Sequence, residues 1–183
     1  HESTVYSQKV NQMSQEIFKI YGKNPITLYK QWLEEATPLE PNDPDAICLA
    51  TADAQGRPSN RFVLLKDIAE NGFKFHTHAT SEKGCDIAAN PHVAFTHYWK
   101  STRKQIRVTG TCAPVSDTES DEYYKTRPRA RAIGAHASDQ SKKFQRHEEL
   151  DNAIKKAEQN FENTKEIPRP PQWKGYRITP ETI

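Results

Sequence analysis

Sulfur is scarce in this chain, with 3 cysteines and 1 methionine in 183 residues. Cys48, Cys85 and Cys112 are odd in number, far apart and without a C-x-x-C pair, which excludes a disulfide framework and a cysteine-based zinc site. No apolar run approaches membrane-spanning length, and the opening residues lack the apolar core of a signal peptide, so a soluble, cytoplasmic protein is expected. An excess of one charge is also lacking. The 26 Lys and Arg against 24 Asp and Glu leave a net charge of +2, too small for a general nucleic-acid binder, so basic residues that matter must act in local clusters. The 7 histidines show no metal-ligand spacing, and no Ser/His/Asp or Cys/His arrangement suggests an activated nucleophile.

A chain of this length buries one substantial core. One domain is expected over 24–183, preceded by a weakly apolar arm or helix over 1–23. Asn24 and Pro25 read as an N-cap and first helical residue, and Leu28 with Trp32 and Tyr29 with Leu33 carry the helix to Ala36. From Ala46 the period becomes two, with strands over 46–52, 59–67, 73–77, 92–99, 104–115 and a last one near 173–178. Gln55-Gly56 and Asn71-Gly72 supply hairpin turns, so the first three strands should form an antiparallel meander. Helices are predicted from Ser81 to Asn90, from the capping box Ser116 to Glu119 toward Thr126, and over 146–161. The pattern spells a mainly β fold with flanking helices, a six-stranded antiparallel barrel with helices packed outside.

The chemistry concentrates in Arg61-Phe62-Val63-Leu64-Leu65-Lys66, an apolar strand with a cation at each end. On a period-two strand these two cations point to opposite faces and suit two different anions. Tyr123 and Arg127 lie four residues apart, so a helix reaching Arg127 would aim both at one anion. Gln105 lies on a strand where a buried amide would need partners.

Together with Ser81-Glu82-Lys83, the run Tyr123 to Arg129 and Gln140-Ser141, these stretches resemble the pyridoxamine 5′-phosphate oxidases, homodimeric FMN enzymes of vitamin B6 metabolism with a split-barrel fold. The resemblance implies an FMN site at the subunit interface formed by Arg61, Phe62, Val63, Leu64, Leu65, Lys66, His76, Thr77, Glu82, Lys83 and Gln105, with Gln140 and Ser141 coming from the second subunit. It assigns the substrate phosphate to Lys66, Tyr123, Arg127 and Arg131. The implied reaction oxidises pyridoxine or pyridoxamine 5′-phosphate to pyridoxal 5′-phosphate, with dioxygen as acceptor. The alternatives are a divergent split-barrel flavin oxidoreductase and a noncatalytic FMN- or pyridoxal-phosphate-binding protein.

Departures from the family pattern bear on both phosphates. Glu82 stands where many members carry an arginine beside the lysine, Arg131 where a serine commonly helps hold substrate, and His136 where a tryptophan is usual. The family's terminal segment, with its Glu-Phe-Trp-Gln and Arg-Leu-His-Asp-Arg motifs, does not occur within the 183 residues. The chain is therefore expected either to be trimmed or to carry an incomplete site.

Overall fold

The computed structural model describes residues 24–138, 141 and 147–183, so the expected arm over 1–23 lies outside the described residues. Helix α1 (Pro25–Ala36) begins at the predicted cap, where the Asn24 side chain accepts from the Ile26 and Thr27 amides. It packs Ile26 and Tyr29 into the sheet core with Leu49, Phe73, Phe75, Phe95 and Trp99. Tyr29 donates its hydroxyl to His97 Nδ1 at 2.7 Å, and His97 Nε2 and Trp99 Nε1 both bond the Pro44 carbonyl, at 2.8 and 2.9 Å. The proline-rich linker after α1 is thereby tied to the sheet by satisfied buried polar groups.

Seven strands form one antiparallel sheet: β1 (Ala46–Ala52), β2 (Pro58–Leu64), β3 (Asp67–Ala69), β4 (Gly72–His78), β5 (His92–Trp99), β6 (Lys104–Pro114) and β7 (Trp173–Thr182). Their order is β2-β1-β5-β6-β7-β4-β3, and the sheet curls until β2 touches β4, giving the split barrel. This mainly-β architecture agrees with the sequence reading, with two corrections. The segment expected as one strand over 59–67 divides, because Leu65 and Lys66 leave the β2 ladder to bond Asp45 and Lys74 backbone carbonyls, at 2.9 and 2.7 Å. Seven strands result instead of six.

The meander is also broken. β1 pairs with β2 and β3 with β4, so both hairpin turns form, but β4 pairs with β7 and β3 rather than with β2. Turn chemistry fixes local pairs, whereas partners across the sheet depend on long-range packing. Gly72 sits at φ 124, and a Cβ there would lie 2.1 Å from the Ile178 carbonyl oxygen, so only glycine closes this turn against β7.

The helices α2 (Glu82–Ala89), α3 (Asp117–Lys125) and α5 (His147–Asn160) match the predicted segments. A further helix, α4 (Arg129–Ala137), follows the Arg127-Pro128 corner and buries Ala132, Ile133 and Ala135. Its N-cap is Pro128, with no side-chain cap bond, so the usual start signal is missing from the sequence. No helix among the described residues is long and apolar enough to cross a membrane.

Candidate functional site

A cleft of about 300 Å³ opens where β2, β4, α2 and the α3–α4 corner meet. Its lining comes from Phe62, Val63 and Leu64 of β2, from Lys66, from His76 and Thr77 of β4 with Lys83 of α2, and from Tyr123, Thr126, Arg127, Pro128 and Arg131 around the α3–α4 corner.

One end of this site is built on strand register. Thr51 pairs with Ser59 and Leu49 with Arg61, which places Thr51, Ser59 and Arg61 on one face of the β1–β2 ladder. Arg61 donates to Thr51 Oγ1 at 2.6 Å and to Ser59 Oγ at 2.8 Å. Its guanidinium also lies 3.8 Å from Asp86 and 3.9 Å from Glu82. Asp86 is buried and accepts from Thr51 Oγ1 at 2.6 Å.

Lys83 is 5% exposed and donates to Thr77 Oγ1 at 3.3 Å and to Ser81 Oγ at 3.5 Å. Burial, then the charge of Arg61, pulls its ammonium below the ordinary lysine value, and Glu82 acts the other way. Gly84 lets the first turn of α2 pack against the backbone of His78 and Ala79, since a Cβ there would lie 2.4 Å from the Ala79 carbonyl oxygen. The Ser81 hydroxyl caps α2 through the Gly84 amide.

The other end holds Lys66, Tyr123, Arg127 and Arg131. Lys66 pairs with Asp45 at 2.6 Å. Helix α3 stops at Lys125 with Thr126 as its C-cap, so Tyr123 and Arg127 do not share the helical face expected from their spacing. They reach the cleft together by another route. The Arg127 guanidinium lies 4.8 Å over Trp173 and 5.7 Å over Tyr124, and it donates to the Arg131 carbonyl at 3.0 Å. Arg127 Nε is buried without a hydrogen-bond partner.

His76 stacks on Tyr123 at 4.0 Å and on Trp173 at 4.7 Å, with all three rings within 9° of parallel. Neither ring nitrogen has a hydrogen-bond partner. Burial first, then the positive charges of Lys74, Arg127 and Lys66 against the opposing Glu119, lower the His76 pKa to about 3. The ring is therefore neutral at ordinary pH, and its contacts in this structure are aromatic.

The residues that the resemblance assigned fall into three groups. Phe62, Val63, Leu64, Lys66, His76, Thr77, Lys83, Tyr123, Arg127 and Arg131 line the cleft. Arg61 and Glu82 adjoin it beside Lys83, whereas Leu65 is 4% exposed in the barrel core. Gln105 is exposed on β6 opposite Tyr98, so the buried strand position expected for its amide is not found. Ser141 is exposed and outside the cleft, and Gln140 lies outside the described residues. His136 bonds the Pro168 carbonyl at 2.7 Å and packs on Phe161, which gives it a structural place away from the cleft.

Sequence reasoning missed Asp45, Thr51, Ser59, Asp86 and Trp173. Only Asp86 carried a local signal, lying four residues after Glu82 and so on the same helical face. The others reach the site through strand register and tertiary packing.

The family described as Pyridoxamine 5′-phosphate oxidase matches residues 33–161. A protein of Rhodopseudomonas palustris (strain TIE-1) named pyridoxine/pyridoxamine 5′-phosphate oxidase is 47% identical over 162 residues, covering 88% of this chain and 76% of its own. Among solved structures, PhzG from Burkholderia lata 383, in complex with tetrahydrophenazine-1-carboxylic acid, is similar with TM-score 0.80 and 31% identity, covering 89% of this chain and 79% of that one. A pyridoxamine 5′-phosphate oxidase-related, FMN-binding protein from Nostoc punctiforme PCC 73102 has TM-score 0.68 over 87% of this chain and 82% of its own. Its 17% identity makes that a likeness of fold.

Proposed function

The chain belongs to the pyridoxamine 5′-phosphate oxidase family, and from that premise we propose that it oxidises pyridoxine or pyridoxamine 5′-phosphate to pyridoxal 5′-phosphate. FMN is the proposed cofactor, and when bound it supplies the two-electron acceptor that dioxygen reoxidises, with hydrogen peroxide as product; with the amine substrate, water hydrolyses the resulting imine and ammonia is released. The observation that carries this reading is a cleft lined by Lys83, Lys66, Arg127 and Arg131, with Arg61 adjoining it beside Lys83.

The residues fit the group. The FMN phosphate needs cations and hydroxyls, and Arg61 and Lys83 stand among the hydroxyls of Thr51, Ser59, Thr77 and Ser81. The substrate phosphate would be held by Lys66, Tyr123, Arg127 and Arg131. Two anchored phosphates fix the relative placement of two rings, which is the main contribution a protein makes when the cofactor carries the reaction. His76 contributes a neutral aromatic ring, because one that stays unprotonated down to about pH 3 adds no charge to the cleft. A homodimer completes the proposal, with Gln140 and Ser141 of the second subunit meeting a cofactor that Gln105 contacts from the first.

A second reading keeps the cofactor and changes the substrate. Arg131 adds a cation to the substrate end, and the similar PhzG structure holds tetrahydrophenazine-1-carboxylic acid. Both readings are separated by following the flavin absorbance of the purified protein and peroxide formation with pyridoxine 5′-phosphate, pyridoxamine 5′-phosphate and unphosphorylated pyridoxine. The first reading expects a flavin spectrum and turnover of the phosphorylated compounds, with little of pyridoxine, because partly buried cationic donors reject a ligand that leaves them unpaired. A flavin spectrum without turnover of either phosphate would favour the second.

A further inference from the structure

The Arg61 end of the cleft contains carboxylates where an anion is proposed to bind. The two are held differently. Asp86 is buried and fixed by Thr51, so it belongs to the frame that orients Arg61. The Glu82 side chain is 61% exposed, sits in the first turn of α2, and turns inward to accept a hydrogen bond from Ser59 Oγ at 3.0 Å. That bond brings its second oxygen within 3.9 Å of Arg61 Nη2. The same carboxylate acts on Lys83, whose charged form it favours against burial and against Arg61.

We propose that Glu82 sets the affinity and the charge selectivity of the cofactor site by opposing the phosphate at Arg61 and Lys83. The inference rests on the proposed reading of this corner as the FMN phosphate site. A phosphate monoester carries close to two negative charges at neutral pH. Before it arrives, Glu82 keeps the two cations partly neutralised. Once it arrives, Glu82 is a like charge in the same corner, and its repulsion offsets part of the attraction from the cations. FMN is then held less tightly, and distinguished less sharply from riboflavin, than two unopposed cations would allow. Its exposure makes the effect moderate and dependent on salt.

The direct test is fluorescence titration of the flavin-free chain with FMN and with riboflavin, for the parent and for Glu82→Gln. Glutamine keeps a side-chain oxygen for Ser59 and removes only the charge. The expected result is FMN binding tighter by about threefold to tenfold in the variant, riboflavin binding within about twofold of the parent, and a difference that shrinks as salt rises. A gain of affinity is a readout that structural damage does not produce. FMN bound equally or more weakly by the variant would overturn the inference, as would equal tightening of both flavins. A parent chain that binds neither flavin would instead overturn the cofactor reading itself, and this inference with it.

Discussion

Beside Arg61, at one end of the cleft, two cations face two carboxylates and four hydroxyls, whereas at the Arg127 end, among the described residues, Lys66 pairs with Asp45 and Arg127 is held against aromatic rings. The first end is satisfied internally, so an arriving phosphate competes with partners already in place. The second holds its arginine by stacking, and among the described residues neither Arg127 nor Arg131 makes an ion pair. Two ways of positioning a cation follow. Hydrogen-bonded carboxylates orient it and reduce its net attraction, while aromatic faces hold it and leave its charge available.

The largest effect should come from the less neutralised end. Arg127→Ala is expected to lower kcat/KM for pyridoxine 5′-phosphate by about a hundredfold, measured as peroxide formation, with FMN affinity within about twofold of the parent. Arg61→Ala should weaken FMN by about tenfold to a hundredfold, consistent with one charge-assisted contact of about 1.5–3 kcal/mol. Loss of FMN in the Arg127 variant would erase the distinction between the ends.

A smaller effect concerns the rings. His76→Ala is expected to raise KM for the phosphorylated substrate by about twofold to tenfold, the range for a lost aromatic pair, while His76→Phe recovers most of that loss by restoring the stack. Failure of phenylalanine to recover KM would assign His76 a polar role in the site.

The smallest effect is on stability. His76 is held neutral down to about pH 3 and His97 to about pH 4, whereas the unfolded chain takes up these protons near 6.5. The unfolded state therefore binds more protons as pH falls below about 6.5, and stability is lost in that direction. His76→Phe should reduce the slope of melting temperature against pH between about 6.5 and 4. An unchanged slope would place the acid sensitivity elsewhere.

Much of this comparison was legible in the sequence because the main cations sit on local patterns. Arg61 and Lys66 bracket a strand-like run, Lys83 follows the Ser81 cap, and Tyr123 lies in the helix opened by Ser116. The counterions and rings were not legible. Asp45 reaches Lys66 across 21 positions, Thr51 meets Asp86 across 35, and Trp173 meets His76 only because β7 pairs with β4. Helix α4 was hidden by its proline cap, and the wrong reason for the convergence of Tyr123 and Arg127 came from extending α3 past its C-cap at Thr126. Local signals thus located most of the positive charge, while long-range pairing decided how strongly each end is neutralised.

The central claim is that the two ends of the cleft serve two different phosphates, and a paired binding measurement on Arg61→Ala and Arg127→Ala tests it most directly. Titration of each flavin-free variant with FMN, and of each flavin-loaded variant with pyridoxal 5′-phosphate, should give a crossover. Arg61→Ala should weaken FMN alone, and Arg127→Ala should weaken pyridoxal 5′-phosphate alone. Both substitutions weakening the same ligand would contradict the account.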